Sequence, residues 1–216
     1  MKILILGATG RTGKLLLQEA LQQGYEVNVL VRNRSRVPLH PALTVFEGSP
    51  ADTNILNNAM KGCEAILSAL NISRNSDFPW AALRTPPDFL SKIVALIIEL
   101  APQNNIARII VISAWGTSDT RNDIPWWFKW VIEHSNVGVA YRDHERQEGL
   151  FAASALNYTI VRPAGLVNSI QSKPVIISLN NMPKPRLTIS RGEVVKFMVQ
   201  VLQDDLFLRQ MPVVST

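Results

Sequence analysis

Cysteine is nearly absent from this chain. Cys63 stands alone, so no internal disulfide can form and folding needs no oxidising compartment. It reads as a small buried hydrophobe with no activating partner. No apolar run reaches the length of a membrane span, and the four residues between Lys2 and Gly7 are too few for a signal-peptide core. The expectation is a cytoplasmic protein with no membrane partner. Histidine is scarce as well, and no His/Cys/Asp/Glu group has metal-ligand spacing, so no metal is expected. Dense basic runs are missing too. The net charge is +5, but its nearest approach to a cluster, Arg32-Asn33-Arg34-Ser35-Arg36, is too sparse to favour nucleic acid. Internal repeats, low-complexity stretches and linkers are not found.

What is present is the material of one globular domain over residues 1–216, with 47% hydrophobic and 18% charged residues. Residues 2–6 read as a buried parallel strand, and Thr12 to Gln23 has helical apolar spacing. Strands are expected at Val27–Val31, Leu43–Phe46, Ala65–Leu70, Ile109–Ile112 and Tyr158–Val161, with a closing apolar stretch at Met211–Val214. Ser49-Pro50-Ala51-Asp52 resembles a helix start, with Ser49 as N-cap and Pro50 at the first helical position. Further helices are expected from Thr85-Pro86-Pro87-Asp88 to Leu100, over Arg142–Ala153 and over Glu193–Leu202. Strand and helix alternate throughout, which argues an α/β, Rossmann-type doubly wound parallel sheet. The irregular regions 71–87 and 114–141 follow strand carboxyl ends, where open α/β sheets bind ligands. A third, 168–191, holds two possible strands, Val175–Leu179 and Leu187–Ile189, and could fold over the cleft.

Gly7-Ala8-Thr9-Gly10-Arg11-Thr12-Gly13 follows the first strand and opens the first helix. Glycines at 7, 10 and 13 permit a sharp turn and close approach of backbone to a pyrophosphate, with the helix N-terminus attracting the anion. Where NAD-preferring sites place a carboxylate after the second strand, this chain has Arg32, followed by Ser35 and Arg36. An arginine cannot accept hydrogen bonds from ribose hydroxyls but can pair with a 2'-phosphate. The expected cofactor is NADP(H), with NAD second.

Together with Val29-Leu30-Val31-Arg32 and Asn157-Tyr158-Thr159-Ile160-Val161-Arg162-Pro163, this turn resembles the NmrA-like atypical short-chain dehydrogenase/reductases along essentially the whole chain. Gly24-Tyr25-Glu26-Val27, Ser35-Arg36, Arg74-Asn75 and Asp143-His144 add a resemblance to the biliverdin IXβ and flavin reductase branch. The resemblance implies cofactor contacts at Gly7, Thr9, Gly10, Arg11, Thr12, Gly13, Arg32, Ser35, Arg36, Ala69, Leu70, Ser113, Pro163, Ala164, Gly165 and Leu166. It also implies that Asn71–Asn75 and His144 lie beside the nicotinamide or the phosphates.

Conventional dehydrogenases of the superfamily use a Tyr and a Lys four residues apart, the ammonium lowering the tyrosine pKa. Here Tyr141 is followed by Glu145, which favours the neutral phenol, and Ser113 is followed by Ala114 rather than a second serine. What remains is hydride transfer to a small conjugated acceptor of flavin, quinone or tetrapyrrole type, with Ser113 and His144 as polar helpers. Trp115, Trp126, Trp127 and Phe128, with Trp80, form a flat acceptor pocket in one reading and an amphipathic helix on the sheet or a second subunit in the other. His144 donates a proton through solvent, or sits on a helix surface bonded to Asp143 or Glu145. His40 and His134 read as loop and helix-surface residues. Two rival functions stay open: a nucleotide sensor that regulates a partner protein without turnover, and a nucleotide-sugar epimerase or dehydratase.

Overall fold

The computed structural model describes residues 1–169, 171 and 173–216; Ile170 and Ser172, inside the third irregular region, lie outside the described residues. The first half of the chain runs β1 (Lys2–Leu6), α1 (Arg11–Gln22), β2 (Glu26–Val31), β3 (Leu43–Glu47), α2 (Thr53–Met60), β4 (Ala65–Ser68) and α3 (Phe89–Leu100). The second half runs β5 (Arg108–Ile112), α4 (Trp126–Glu133), α5 (Val137–Ala153), β6 (Tyr158–Pro163), β7 (Gly165–Val167), β8 (Ile176–Ser178), β9 (Thr188–Ser190), α6 (Arg191–Gln203) and β10 (Val213–Ser215). The main sheet has the order β3-β2-β1-β4-β5-β6-β10-β8. Every pairing in it is parallel except β10 with β8. The doubly wound Rossmann-type fold expected from the alternation is therefore present.

Successive residues of each strand point to opposite faces, and both faces are covered, so β1, β4 and β5 are apolar apart from Lys2, Ser68 and Arg108 at their ends. Ile3, Ile5, Ile110 and Ile112 enter a core shared with α1 and α6. Leu4, Leu6, Ile109 and Val111 enter a second core with residues of α2, α3 and α5. The order reverses at β1, where β2 lies on one side and β4 on the other. The connections from β1 to α1 and from β4 to α3 leave toward opposite faces of the sheet there, opening the crevice in which such sheets bind ligands.

Several local expectations are corrected. Helix α2 is capped by Asp52, whose carboxylate accepts from Asn54 N (3.0 Å) and Ile55 N (3.1 Å). Ser49 instead accepts from Ala51 N within the preceding turn. Both residues are good N-caps, but only Asp52 reaches the second and third helical N–H groups. Region 114–141 contains all of α4 and the first turn of α5. In region 168–191 the two expected strands are present as β8, which extends the main sheet along β10, and β9, which pairs with β7.

Helix α3 shows a cap no local pattern encodes. Its own N-cap, Asp88, makes no side-chain capping bond. Asp143 of α5, fully buried, accepts from Leu90 N (2.6 Å), Ser91 N (3.3 Å) and Ser91 Oγ (2.6 Å). A carboxylate from the neighbouring helix thus satisfies the exposed donors of this N-terminus and suits its dipole.

Candidate active site

The glycine turn is the tightest part of the molecule. Gly7 has φ +82°, and a Cβ there would stand 2.8 Å from the carbonyl carbon and oxygen of Ala69, at the end of β4. A Cβ on Gly13 would stand 2.0 Å from Gly7 O, so α1 backs directly onto the turn. Gly10 N donates to Gly7 O at 2.9 Å and closes the loop. As the N-cap of α1, Gly10 offers no side-chain cap, and the first turn of the helix carries no acid. The leading N–H groups of Arg11, Thr12 and Gly13 have no acceptor one turn back along the helix, which makes this end a cradle for an anion. Ala69 and Leu70 form its opposite wall, Ala69 N donating to Leu6 O at 3.0 Å. The residues present fit the pyrophosphate of a dinucleotide.

Beyond β2, Arg32, Arg34, Ser35 and Arg36 are all exposed. Asn33 caps the short turn Arg34–Arg36 by accepting from Ser35 N (2.9 Å) and Ser35 Oγ (2.7 Å). The nearest acid, Glu47 at the end of β3, faces Arg34 N at 3.4 Å. This arrangement gathers positive charge where an adenosine ribose would lie.

At the end of β5, Ser113 is buried, and its hydroxyl donates to Glu148 Oε1 of α5 at 2.6 Å. Glu148 also accepts from Thr117 (2.8 Å) and Ser118 (2.6 Å), and Arg162 of β6 grips it with Nε at 3.0 Å and an amino nitrogen at 2.9 Å. Burial alone would raise the Glu148 pKa, but the Arg162 bond and charge together hold it below the ordinary carboxylate range. An ionised carboxylate only accepts, so the single hydroxyl hydrogen of Ser113 is committed to it. Toward a ligand Ser113 can act only as an acceptor, unlike a serine that donates to a substrate carbonyl. The pair itself escaped the sequence reading. Its signal was Arg162, the one charged residue of a fully buried strand, which requires a buried partner.

His144 lies one turn before Gln147 and Glu148 on α5. Those two residues reach Ile112 O and Ser113 at the end of β5. His144 is only 2% exposed, and its Nδ1 has no partner, so it is not the helix-surface histidine of one expectation. Neither proposed carboxylate holds it: Asp143 caps α3, and Glu145 accepts from Ser118 N (3.3 Å) and pairs with Arg121 (3.7 Å). Burial pushes the imidazole down to about 4, outweighing the opposite pull of Glu148 and Asp143. The unfolded chain therefore takes up a proton near 6.5 that the folded chain refuses until about 4. Stability is complete above that window and falls as the pH drops through it, by up to about 1.4 kcal/mol per pH unit. Urea melts from pH 8 to 4 should show this slope in the wild-type chain and a flatter one in His144→Leu. Equal slopes would mean that His144 is charged in the fold.

Tyr141 donates to Trp115 O at 3.2 Å, and burial raises its pKa, so its phenol stays protonated. The four expected acceptor aromatics are not gathered into one pocket. Trp115 is 5% exposed within the α1/α6 core, while Trp126 and Trp127 stand out from α4 at 81% and 51%. Phe128 packs edge-on against Tyr141, ring centroids 6.1 Å apart. The helix reading of this stretch is the observed one. His134 ends α4 stacked on Trp130, and His40 accepts from Ala42 N in a loop. The hairpin 73–84 is tied to the α4–α5 junction by Trp80 Nε1 donating to His134 O (2.7 Å) and Asn136 Nδ2 donating to Trp80 O and Ala81 O (both 3.1 Å). Its tip is tied to the glycine turn by Arg11, which donates to both oxygens of Asp77 at 2.8 and 2.6 Å.

After β6, Pro163 ends the strand and Ala164 to Leu166 leads into β7. Trp115 N donates to Pro163 O at 3.0 Å, and Gly165 lies close against Leu187 O. Among the described residues no group of three or more His, Cys, Asp or Glu could hold a metal, and no helix is long and apolar enough to cross a membrane.

Residues 7–205 match a family described as NAD(P)H-binding. A curated oxidoreductase of Pestalotiopsis microspora is 29% identical over 182 residues, covering 77% of this chain and 68% of that protein. The chain spans about two thirds of the length of the first curated relatives it matches. Among solved structures, a short-chain dehydrogenase/reductase of Veillonella parvula in complex with NADP superposes with TM-score 0.81 at 22% identity, covering 100% of this chain and 94% of that one. An anaerobillin reductase of Escherichia coli O157:H7 superposes with TM-score 0.81 at 19% identity, covering 100% and 97%. At such identities the structures establish the fold.

Proposed function

The chain belongs to the NAD(P)H-binding family, and from that premise we propose that it is an NADPH-dependent reductase of a small conjugated acceptor. Its curated relatives are oxidoreductases, and the coarse class, an NAD(P)-binding oxidoreductase, follows from that kinship. The observation that carries the finer reading is the pairing of a bare glycine cradle with a basic turn after β2. Gly7, Thr9, Gly10, Arg11, Thr12 and Gly13 would hold the pyrophosphate, and Arg32, Ser35 and Arg36 the 2'-phosphate. Ala69, Leu70, Ser113 and the turn Pro163, Ala164, Gly165 and Leu166 would line the nicotinamide end. The cofactor, when bound, supplies a hydride at its nicotinamide ring.

The acceptor class rests on what the residues withhold. The Ser113 hydrogen belongs to Glu148, the Tyr141 phenol is buried, and the His144 ring is buried and uncharged at neutral pH. A substrate that needs strong acid catalysis is poorly served; one that spreads the arriving charge over a conjugated flavin, quinone or tetrapyrrole is not. The anaerobillin reductase among the similar structures agrees with the last of these. The exposed Trp126 and Trp127 on α4 are the proposed aromatic contacts, while Trp115 is buried in the core and serves the fold. The same scarcity of acids supports a second reading, a nucleotide sensor acting on a partner protein.

Following NADPH fluorescence and the loss of reduced-nicotinamide absorbance with FMN, a quinone and a tetrapyrrole tests both. Binding with acceptor-dependent oxidation supports the reductase; binding with none supports the sensor. Arg32→Ala should weaken NADPH by about 1.5–3 kcal/mol, the worth of a charged hydrogen bond, while barely changing NADH. Equal losses for the two nucleotides would remove Arg32 from the 2'-phosphate site.

A further inference from the structure

Two helices that pack side by side, α1 and α6, both begin with arginine, Arg11 and Arg191. A cation in the first turn opposes the helix dipole and is normally avoided there. Departures of this kind from local preference concentrate where a ligand is bound. Their charges are coupled across the packed helices: burial and then the charge of Arg11 disfavour the charged form of Arg191, while Asp77 favours it. Arg74, on the same hairpin as Asp77, adds to the positive charge around that carboxylate. Arg11 grips Asp77 directly and the charges of Arg191 and Arg74 also act on that carboxylate, an excess of two positive charges beside the glycine turn, and a dinucleotide pyrophosphate carries two negative ones.

Asp77 occupies both parallel N–H groups of the Arg11 fork. That geometry is the one a phosphate would use, so carboxylate and phosphate compete for it. The competition is an easy one for a nucleotide to win. Arg11 and Asp77 side chains are 59% and 77% exposed, and an ion pair in that setting shifts an equilibrium by at most about fivefold. Arg191 is held differently, with one amino nitrogen on Asn168 Oδ1 at 2.6 Å, which aims it without neutralising it.

We propose that Asp77 is a built-in competitor of the cofactor pyrophosphate for Arg11, and that Arg191, at the start of α6, is a second pyrophosphate-binding residue contributed from the far end of the chain. This rests on the dinucleotide reading above. When a nucleotide enters, Asp77 gives up Arg11 and that side of the hairpin loop is released from the glycine turn, while Trp80 and Ala81, on the other side of the loop, stay anchored to the α4–α5 junction.

The test is a set of titrations of the wild-type chain, Asp77→Asn, Arg191→Ala and Arg191→Gln with NADPH, NADH and 2'-AMP, which carries the 2'-phosphate without a pyrophosphate. Asp77→Asn should tighten both dinucleotides about two- to fivefold, a gain where loss of an ordinary contact would give a loss. Both Arg191 variants should weaken NADPH and NADH alike, by about tenfold or more, and leave 2'-AMP unchanged. Weaker dinucleotide binding by Asp77→Asn would overturn the competitor role, and unchanged binding by either Arg191 variant would overturn the second contact. If the wild-type chain binds none of the three ligands, the dinucleotide reading itself falls.

Discussion

Glu148→Ala is expected to destabilise the fold by about 3–5 kcal/mol, against a total of about 5–15 for a domain of ordinary stability. The magnitude comes from what is left behind. Arg162 is 3% exposed, and without Glu148 its remaining carboxylate partner is Asp119, itself 67% exposed and 2.8 Å away. Ser113, Thr117 and Ser118 lose their common acceptor at the same time, so the segment after β5 loosens with the core. The double variant Glu148→Leu/Arg162→Met should recover the share of the loss that comes from the unpaired Arg162, because two well-packed apolar residues carry no desolvation penalty, while the share from the hydroxyls of Ser113, Thr117 and Ser118 remains. Urea denaturation of the three proteins decides it. A cost below about 1 kcal/mol for Glu148→Ala would mean that water reaches the pair.

Gly13→Ala should cost about 3 kcal/mol or more, the upper end of overpacking, and abolish dinucleotide binding with it. The new Cβ would lie 2.0 Å from Gly7 O, 2.6 Å from Gly7 C and 3.0 Å from the Cα of Ala8, all backbone atoms that cannot rotate aside. Helix α1 must then move off the turn that its N–H groups serve. Gly149→Ala on α5 is the matched control: nothing lies within 4 Å of a Cβ there. It should stabilise the helix by roughly 0.5–1 kcal/mol, since alanine is the better helix former. The same substitution thus has opposite signs at two helical glycines. Comparable melting temperatures for Gly13→Ala and the wild-type chain would show that α1 can shift freely.

Much of this protein was legible in the order of its residues. The glycine turn, its strand and its helix are specified within residues 2–22, because period, glycine spacing and backbone freedom are local properties. The missing acid after Val31 was equally plain. The doubly wound sheet followed from alternation, since a strand buried on both faces must be apolar along its interior, as β1, β4 and β5 are apart from Lys2, Ser68 and Arg108 at their ends. Where two neighbouring residues were both competent, as Ser49 and Asp52 are for capping α2, the sequence could not choose between them.

What tertiary structure alone decided are the pairings between distant residues. Asp143 caps α3 from more than 50 positions away, Arg11 reaches Asp77 across 66, and Glu148 finds Arg162 on the adjacent strand. His144, Tyr141 and Trp115 carry polar atoms and carry no sign in the sequence of being buried; neighbouring elements close over them. A residue's intrinsic preferences travel with the sequence, whereas its charge state, its free lone pairs and its access to a ligand are set by whatever the fold packs beside it. That is why the nucleotide cradle could be read from residues 7–13, while the commitment of the Ser113 proton to Glu148 could not.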